Sequence, residues 1–284
     1  MTAAVLLNYN SSANLQVCVS TLLQQSVVPR IYIVDNASSP DDAARARKIA
    51  ADANATFIAS PTNVGYNAGN NLGLKAALAD GCEFALIANP DMIFNEPDHL
   101  ALLEESMRLD PQIAVVAGDV TQVDGTHINP RKIDRTWRET FWWVRGIISA
   151  FYPMRRKNTP PYGESRYCKI VGGSCMMVRL ADIRDIGWLD EGVFLYCEED
   201  ILSYQLEYFG KRVYYNAEAR ALHAHRRQEK RDMLQRIPCL RVSRYYFIDN
   251  YCEDGPIGKR ICKLSASLYT FLLKLNMRLH RTPK

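Results

Sequence analysis

The chain has 284 residues, 48% of them hydrophobic and 23% charged, a globular composition that excludes a disordered or fibrous protein. Its net charge of +4 is unevenly spread: residues 220–284 hold 15 Lys/Arg against 5 Asp/Glu, and residues 1–219 hold 20 against 26. An acidic body offers no continuous basic groove, which excludes a nucleic-acid-binding module; a basic tail suits an anionic partner or a solvated helix face.

Taken in chain order, residues 3–10 read as a buried strand and "NLQVCVSTLLQQ" (14–25) as a helix with apolar residues at helical spacing. "PRIYIVDNASS" (29–39) is a second strand ending in Asp-Asn. "PDDAARARKIAADA" (40–53) opens with Pro and two acids, as helices do. "ATFIAS" is a third strand, "NVGYNAGNNLGLKAALADG" (63–81) a Gly/Asn-rich loop running into a helix, and "CEFALIANPD" (82–91) a fourth strand. Strands alternating with helices form β-α-β units on a parallel sheet, and such sheets bind ligands beyond the carboxyl ends of their strands. Asn10, Asp35, the 63–71 loop and Asp91 all fall at those ends.

In the second half, "YCKIVGG" reads as a strand ending in Gly-Gly, and "ILSYQLEYFG" (201–210) as a helix stopped by Gly. The eight cysteines form no C-x-x-C pair and no short Cys/His cluster. Neither a zinc site nor a disulfide framework follows, and free thiols in a reducing cytoplasm are expected. With no basic leader before "AAVLLNY", no signal peptide is expected, and "LSASLYTFLL" is too short for a bilayer span of about 20 residues.

Each candidate residue has a structural and a chemical reading. Asp35 is a turn residue bonding its own backbone, or a carboxylate that accepts a base N–H or a ribose hydroxyl. "NVGYNAGNN" matches neither the dinucleotide fingerprint nor a P-loop, yet glycines before a helix N-terminus let backbone approach phosphate. Asp91 behind Asn89-Pro90 closes a turn, or offers the oxygen that a hard divalent cation needs beside a diphosphate. Glu198, Glu199 and Asp200 cap a helix, or supply a general base beside a like charge. His223 and His225, two apart on a strand, are structural or face one side as metal ligands.

The ordered set "VLLNYNSS", "IYIVDNASS", "NVGYNAGNNLGL", "IANPDMIF", "VGGSCMMVR", "GWLDEGVFLYCEED", "FGKRVYYN" and "LHAH" resembles glycosyltransferase family 2. It is most similar to the bacterial rhamnosyltransferase-like members that build surface polysaccharides, over roughly four fifths of the chain. "RVSRYYFIDNY" (241–251) resembles the family's aromatic C-terminal segment with Asp249 in place of its Arg, so no role is carried to it.

The resemblance implies an α/β fold of GT-A type, a Rossmann-like, mostly parallel sheet flanked by helices, with a C-terminal helical extension. It implies a nucleotide-sugar half (1–118), an acceptor-binding and catalytic half of the same domain (119–225) and a basic helical extension (226–284). It also implies inverting transfer from a nucleotide diphosphate sugar, first dTDP-rhamnose and then UDP-hexoses, to a glycan or lipid-linked glycan. Asn8, Tyr9, Asn10 and Asp35 match the residues that hold base and ribose, and Asn63, Gly65, Asn67 and Asn70 the loop that lines the nucleotide. Asp91 matches the last acid of the D-x-D-type motif that holds Mg²⁺ or Mn²⁺. Asn89 replaces its first acid, which weakens the metal's hold on the free enzyme. Counting back from Gly210 sets the family's acid pair at Glu198-Glu199, with Glu199 the favoured base and Asp200 the alternative. His223 or His225 matches a histidine that completes the metal or diphosphate site.

Two rivals stand beside this reading. A sugar nucleotidyltransferase needs a Gly-rich loop after the first strand, which "LLNYNSSANL" lacks. A non-catalytic nucleotide-sugar-binding protein is suggested by Asn89 and the irregular acid triplet. Residues 256–284 interleave basic and apolar residues at helical spacing, reading as an interfacial helix on the inner membrane face or as a helix packed on the domain's own surface. "TFWWVRGIISAFYPMRRK" (140–157) is a second such patch or an acceptor loop.

Overall fold

A computed structural model of the chain describes residues 1–131, 162–224 and 230–279; the aromatic stretch 140–157 and His225 lie outside them. In chain order the elements begin β1 (Thr2–Asn8), α1 (Ser12–Leu22), β2 (Arg30–Asp35), α2 (Pro40–Asp52), β3 (Thr56–Ala59), α3 (Tyr66–Ala79) and β4 (Phe84–Ala88). There follow β5 (Met92–Ile93), α4 (His99–Leu109), β6 (Ile113–Gln122), β7 (Arg166–Cys168), β8 (Cys175–Arg179) and α5 (Leu180–Asp185). The described elements end with α6 (Glu198–Tyr208), β9 (Arg212–His223), α7 (Lys230–Tyr251) and α8 (Pro256–Leu279).

Successive side chains of a strand leave in opposite directions. Along β1, Ala4 and Leu6 enter one core cluster while Ala3 and Val5 enter the other. A strand buried on both faces reads as a continuous apolar run, which is how β1 and β4 look in the sequence. Leu15 of α1, Ile49 of α2 and Leu103 of α4 fill the first cluster. Leu74 of α3, Ile183 of α5 and Leu206 of α6 fill the second. Helix α3 comes so close to the sheet that a Cβ on Gly73 would lie 2.5 Å from Val5 Cγ1.

The sheet order is β3-β2-β1-β4-β8-β6-β9-β5, with β7 on β9. β1, β2, β3 and β4 are parallel, as are β6 and β9, whereas β8 runs antiparallel to both its neighbours. The chain goes from β1 outward through β2 and β3, then returns to β4 on the other side of β1. Beside β1 is therefore the topological switch point where an open α/β sheet leaves a crevice beyond its carboxyl ends.

Two expectations shift. Gly172 and Gly173 lie outside any strand: their N–H groups bond the side chains of Asn129 and Glu199 rather than a neighbouring ladder. Helix α6 begins at Glu198 rather than Ile201, with all three acids inside the first turn, where they complement the helix dipole.

Among the described residues, Met1–Arg131, 162–191 and 198–224 form one compact unit; Gly192–Cys197 and 230–279 belong to a second. In the second, α7 and α8 pair in reverse order: Tyr245 bonds Ser267, and Asp249 pairs with Lys263. No helix among the described residues is long and apolar enough to cross a membrane.

Candidate active site

β4 ends at Ala88, and the rigid Asn89-Pro90 step carries the chain off the sheet. The next residues form β5, whose Met92 lies opposite His223 in the antiparallel ladder with β9. That register sets Asp91 against the end of β9. Asp91 Oδ1 lies 3.0 Å from His223 Nε2, and the Asp91 carbonyl accepts the Ala224 N–H at 2.9 Å. A carboxylate and an imidazole distant in sequence thus meet at the carboxyl edge of the sheet.

The acid triplet resolves into three environments. Glu199 Oε1 accepts the Gly173 N–H at 3.1 Å and pairs with Arg131 Nη1 at 3.1 Å. Burial, and then the neighbouring Glu199 charge, push the Glu198 carboxyl up to about 8, so it holds a proton at neutral pH. Asp200 is buried. Just before the helix, Tyr196 and Cys197 both have left-handed backbone, with φ of 74° and 69°. Two such non-glycine residues in succession cost on the order of 1–3 kcal/mol each, a strain that collects at functional sites.

The segment Gly173-Ser174 joins the two acid centres. The Ser174 carbonyl accepts the Asn89 N–H at 2.8 Å, and the next residue back holds Glu199. Tyr66, at the start of α3, donates its hydroxyl to the Gly173 carbonyl at 2.6 Å. Asn129 bonds the Gly172 N–H at 2.7 Å and the Gly118 carbonyl at 3.0 Å, fixing the segment from the other side. A shift of this short backbone would move both Asn89 and Glu199.

Several residues expected along the nucleotide are bonded within the protein. Asn8 is fully buried; its amide lies within 2.9–3.1 Å of Asp35, Ser38 and Asp42, and its oxygen accepts from Ser11. Asn67 donates to the Asp190 carbonyl and Asn70 to the Tyr66 carbonyl, both buried. Asp35 is buried, accepting from Asn8 and from the Ser38 N–H. Asn63 Oδ1 accepts from Asn36 and from the Gly65 N–H, and Asn36 also donates to the Gly65 carbonyl. These amides shape the rim. What the rim presents is Tyr9, 51% exposed at the end of β1, and Asn10, whose φ of 54° turns the chain outward.

Sequence reasoning missed Arg131, Tyr66, Ser174 and Asn129, whose partners lie far along the chain. The one local hint was "NPR" at 129–131, an Asn-Pro step like the one before Asp91.

The model of glycosyl transferase family 2 matches residues 4–179. The chain belongs to glycosyltransferase family 2. A curated relative, the low-salt glycan biosynthesis hexosyltransferase Agl10 of Haloferax volcanii, is 26% identical over 202 residues. That match covers 71% of this chain and 60% of the relative, so the family 2 chain spans about three fifths of the relative's length. Among solved structures, the mannosyltransferase PcManGT of Pyrobaculum calidifontis, in complex with GDP-Man and Mn²⁺, matches with a TM-score of 0.60 at 15% identity. It covers 98% of this chain and 73% of that one. GalNAc-T7 with UDP, GalNAc and Mn²⁺ matches with a TM-score of 0.60 at 12% identity, covering 96% and 55%. At such identities the likeness establishes the fold, a GT-A-type mixed sheet flanked by helices.

Proposed function

We propose that the chain is an inverting glycosyltransferase, moving a sugar from a nucleotide diphosphate sugar to a hydroxyl of a glycan or lipid-linked glycan in surface-polysaccharide synthesis. The observation that carries this reading is the Asp91–His223 pair at the switch-point edge, joined through Gly173-Ser174 to the Glu199 carboxylate.

The pair fits a divalent cation. A carboxylate oxygen and an imidazole nitrogen, 3.0 Å apart at the end of two strands, form a donor set that Mn²⁺ or Mg²⁺ accepts. Among the described residues no third His, Cys, Asp or Glu joins them, so the donor's phosphates and water complete the set. Asp91 and His223 would hold such a cation, which would supply positive charge beside the departing nucleoside diphosphate.

The chain's own residues do the rest. Tyr9 offers a ring for the base to stack on, and the Asn8–Asp35–Asp42 hub holds the two loops at the ends of β1 and β2 in register. Glu199 accepts the proton of the acceptor hydroxyl. Its Oε1 is fixed by Gly173 and Arg131, leaving Oε2 for the proton. A base held in this way contributes about 10²–10⁴-fold, and in-line alignment of donor and acceptor much of the remainder. Glu198, neutral at pH 7, adds no second negative charge beside the base. Asp200 is buried and serves the helix. The first donor to test is dTDP-rhamnose, followed by UDP-hexoses and GDP-mannose.

The test is donor turnover followed by nucleoside diphosphate release. Glu199→Gln is expected to lose transfer while still binding the nucleotide, and Asp200→Asn to keep it. Full transfer in Glu199→Gln would remove the base from the mechanism.

A further inference from the structure

Helix α8 carries an apolar stripe that its own unit does not use. Ile257, Ile261, Leu264, Leu268, Phe271 and Leu275 follow one another in alternating steps of four and three, so they share one face. All six are exposed, Leu264 by 71% and Phe271 by 61%. The helix pairs with α7 through a different face, where Cys262, Ser265, Ala266 and Thr270 are buried. The stripe runs about 27 Å, at 1.5 Å per residue. Exposed apolar surface this continuous marks a contact.

The charges select the occupant. α8 contains Lys259, Arg260, Lys263, Lys274 and Arg278, and no Asp or Glu. The acids nearest before it are Asp249, Glu253 and Asp254, and Asp249 is already taken by Lys263. Across residues 230–279, ten Lys/Arg face four Asp/Glu, a net +6. Two copies meeting along the stripe would bring cation against cation, without the opposite charges that flank a helix-to-helix seam. An anionic surface meets both features at once, with acyl chains for the stripe and headgroup phosphates for the cations. A helix too polar to cross a bilayer, yet apolar along one side, lies in the plane of the interface.

We propose that α8 docks the chain on an anionic lipid surface, stripe down. The proposal rests on α8 alone, and its test contains no nucleotide, so its failure leaves the transferase reading untouched.

The experiment is flotation of the full chain with phosphatidylcholine vesicles, plain or with about 30% phosphatidylglycerol. Binding to the anionic vesicles is expected, weakened in about 0.5 M salt, where screening is nearly complete. The double variant Leu264→Gln/Phe271→Gln removes two exposed apolar side chains. It is expected to melt with the parent and to bind about tenfold less. A parent that ignores anionic vesicles, or a variant that binds as well as the parent, overturns the proposal. A concentration-dependent dimer that the variant abolishes, with vesicles unbound, overturns it in favour of a second copy.

Discussion

Replacing Glu198 with Gln probes the electrostatics of the acid triplet. Burial raises the Glu198 carboxyl from 4.5 to about 8. Between those values the folded chain holds a proton that the unfolded chain has released. Stability therefore falls as pH rises from about 5 to about 8, and stays low above that. At about 1.36 kcal/mol per pKa unit, the loss across that window is on the order of 4 kcal/mol. Gln mimics the protonated acid in shape and cannot ionise, and among the described residues Glu198 Oε2 has no hydrogen-bond partner to lose. Urea unfolding followed by circular dichroism at pH 5, 7 and 9 is the assay. Parent and variant are expected to converge near pH 5, with the variant more stable by a few kcal/mol at pH 9. Parallel curves at all three values would refute the buried, proton-holding Glu198.

Three further outcomes follow from the same contacts. Arg131→Gln removes the cation 3.1 Å from Glu199; kcat is expected to fall about tenfold, with nucleotide affinity unchanged by titration calorimetry, since Arg131 pairs with the proposed base. Tyr66→Phe deletes the hydroxyl that holds the Gly173 carbonyl, which should cost about 1–2 kcal/mol in urea unfolding and lower kcat rather than raise KM. Gly118→Ala would set a Cβ 1.9 Å from the Ala219 carbonyl oxygen; because that atom is backbone, a loss of about 1–3 kcal/mol is expected in the same assay.

The first half of the chain was legible because its signals are local. The run through Leu7 gives β1, Pro40 with two acids opens α2, and Asn89-Pro90 ends β4, each from a few neighbouring residues. Asp91 stood out as a candidate for the same reason, at the end of an apolar strand. That His223 lies against it follows only from the Met92–His223 register, which no local pattern shows.

The bonding of the buried amides left no local sign. An Asn at a strand end looks alike in sequence whether it faces a ligand or ties two loops together, and Asn8 does the latter with Asp42, which no motif contains. Arg131 and Gly173 could not be assigned at all. The link from Gly173 to Glu199 runs through a backbone N–H, and a backbone donor leaves no mark on residue type. The α8 stripe was visible as helical spacing, yet only the fold distinguishes the face packed on α7 from the face left open.

The measurement to make first is a thermal-shift screen of dTDP, UDP and GDP with and without Mn²⁺, on the parent and on Asp91→Ala and His223→Ala. A ligand at a hundred times its Kd stabilises by about 2.7 kcal/mol, a rise of roughly 4–5 °C for a chain of this size. One nucleotide is expected to raise the melting temperature only with Mn²⁺ present, and both variants to lose the rise. No shift with any nucleotide, or a metal-dependent shift that survives both substitutions, would contradict a metal-diphosphate site at Asp91 and His223.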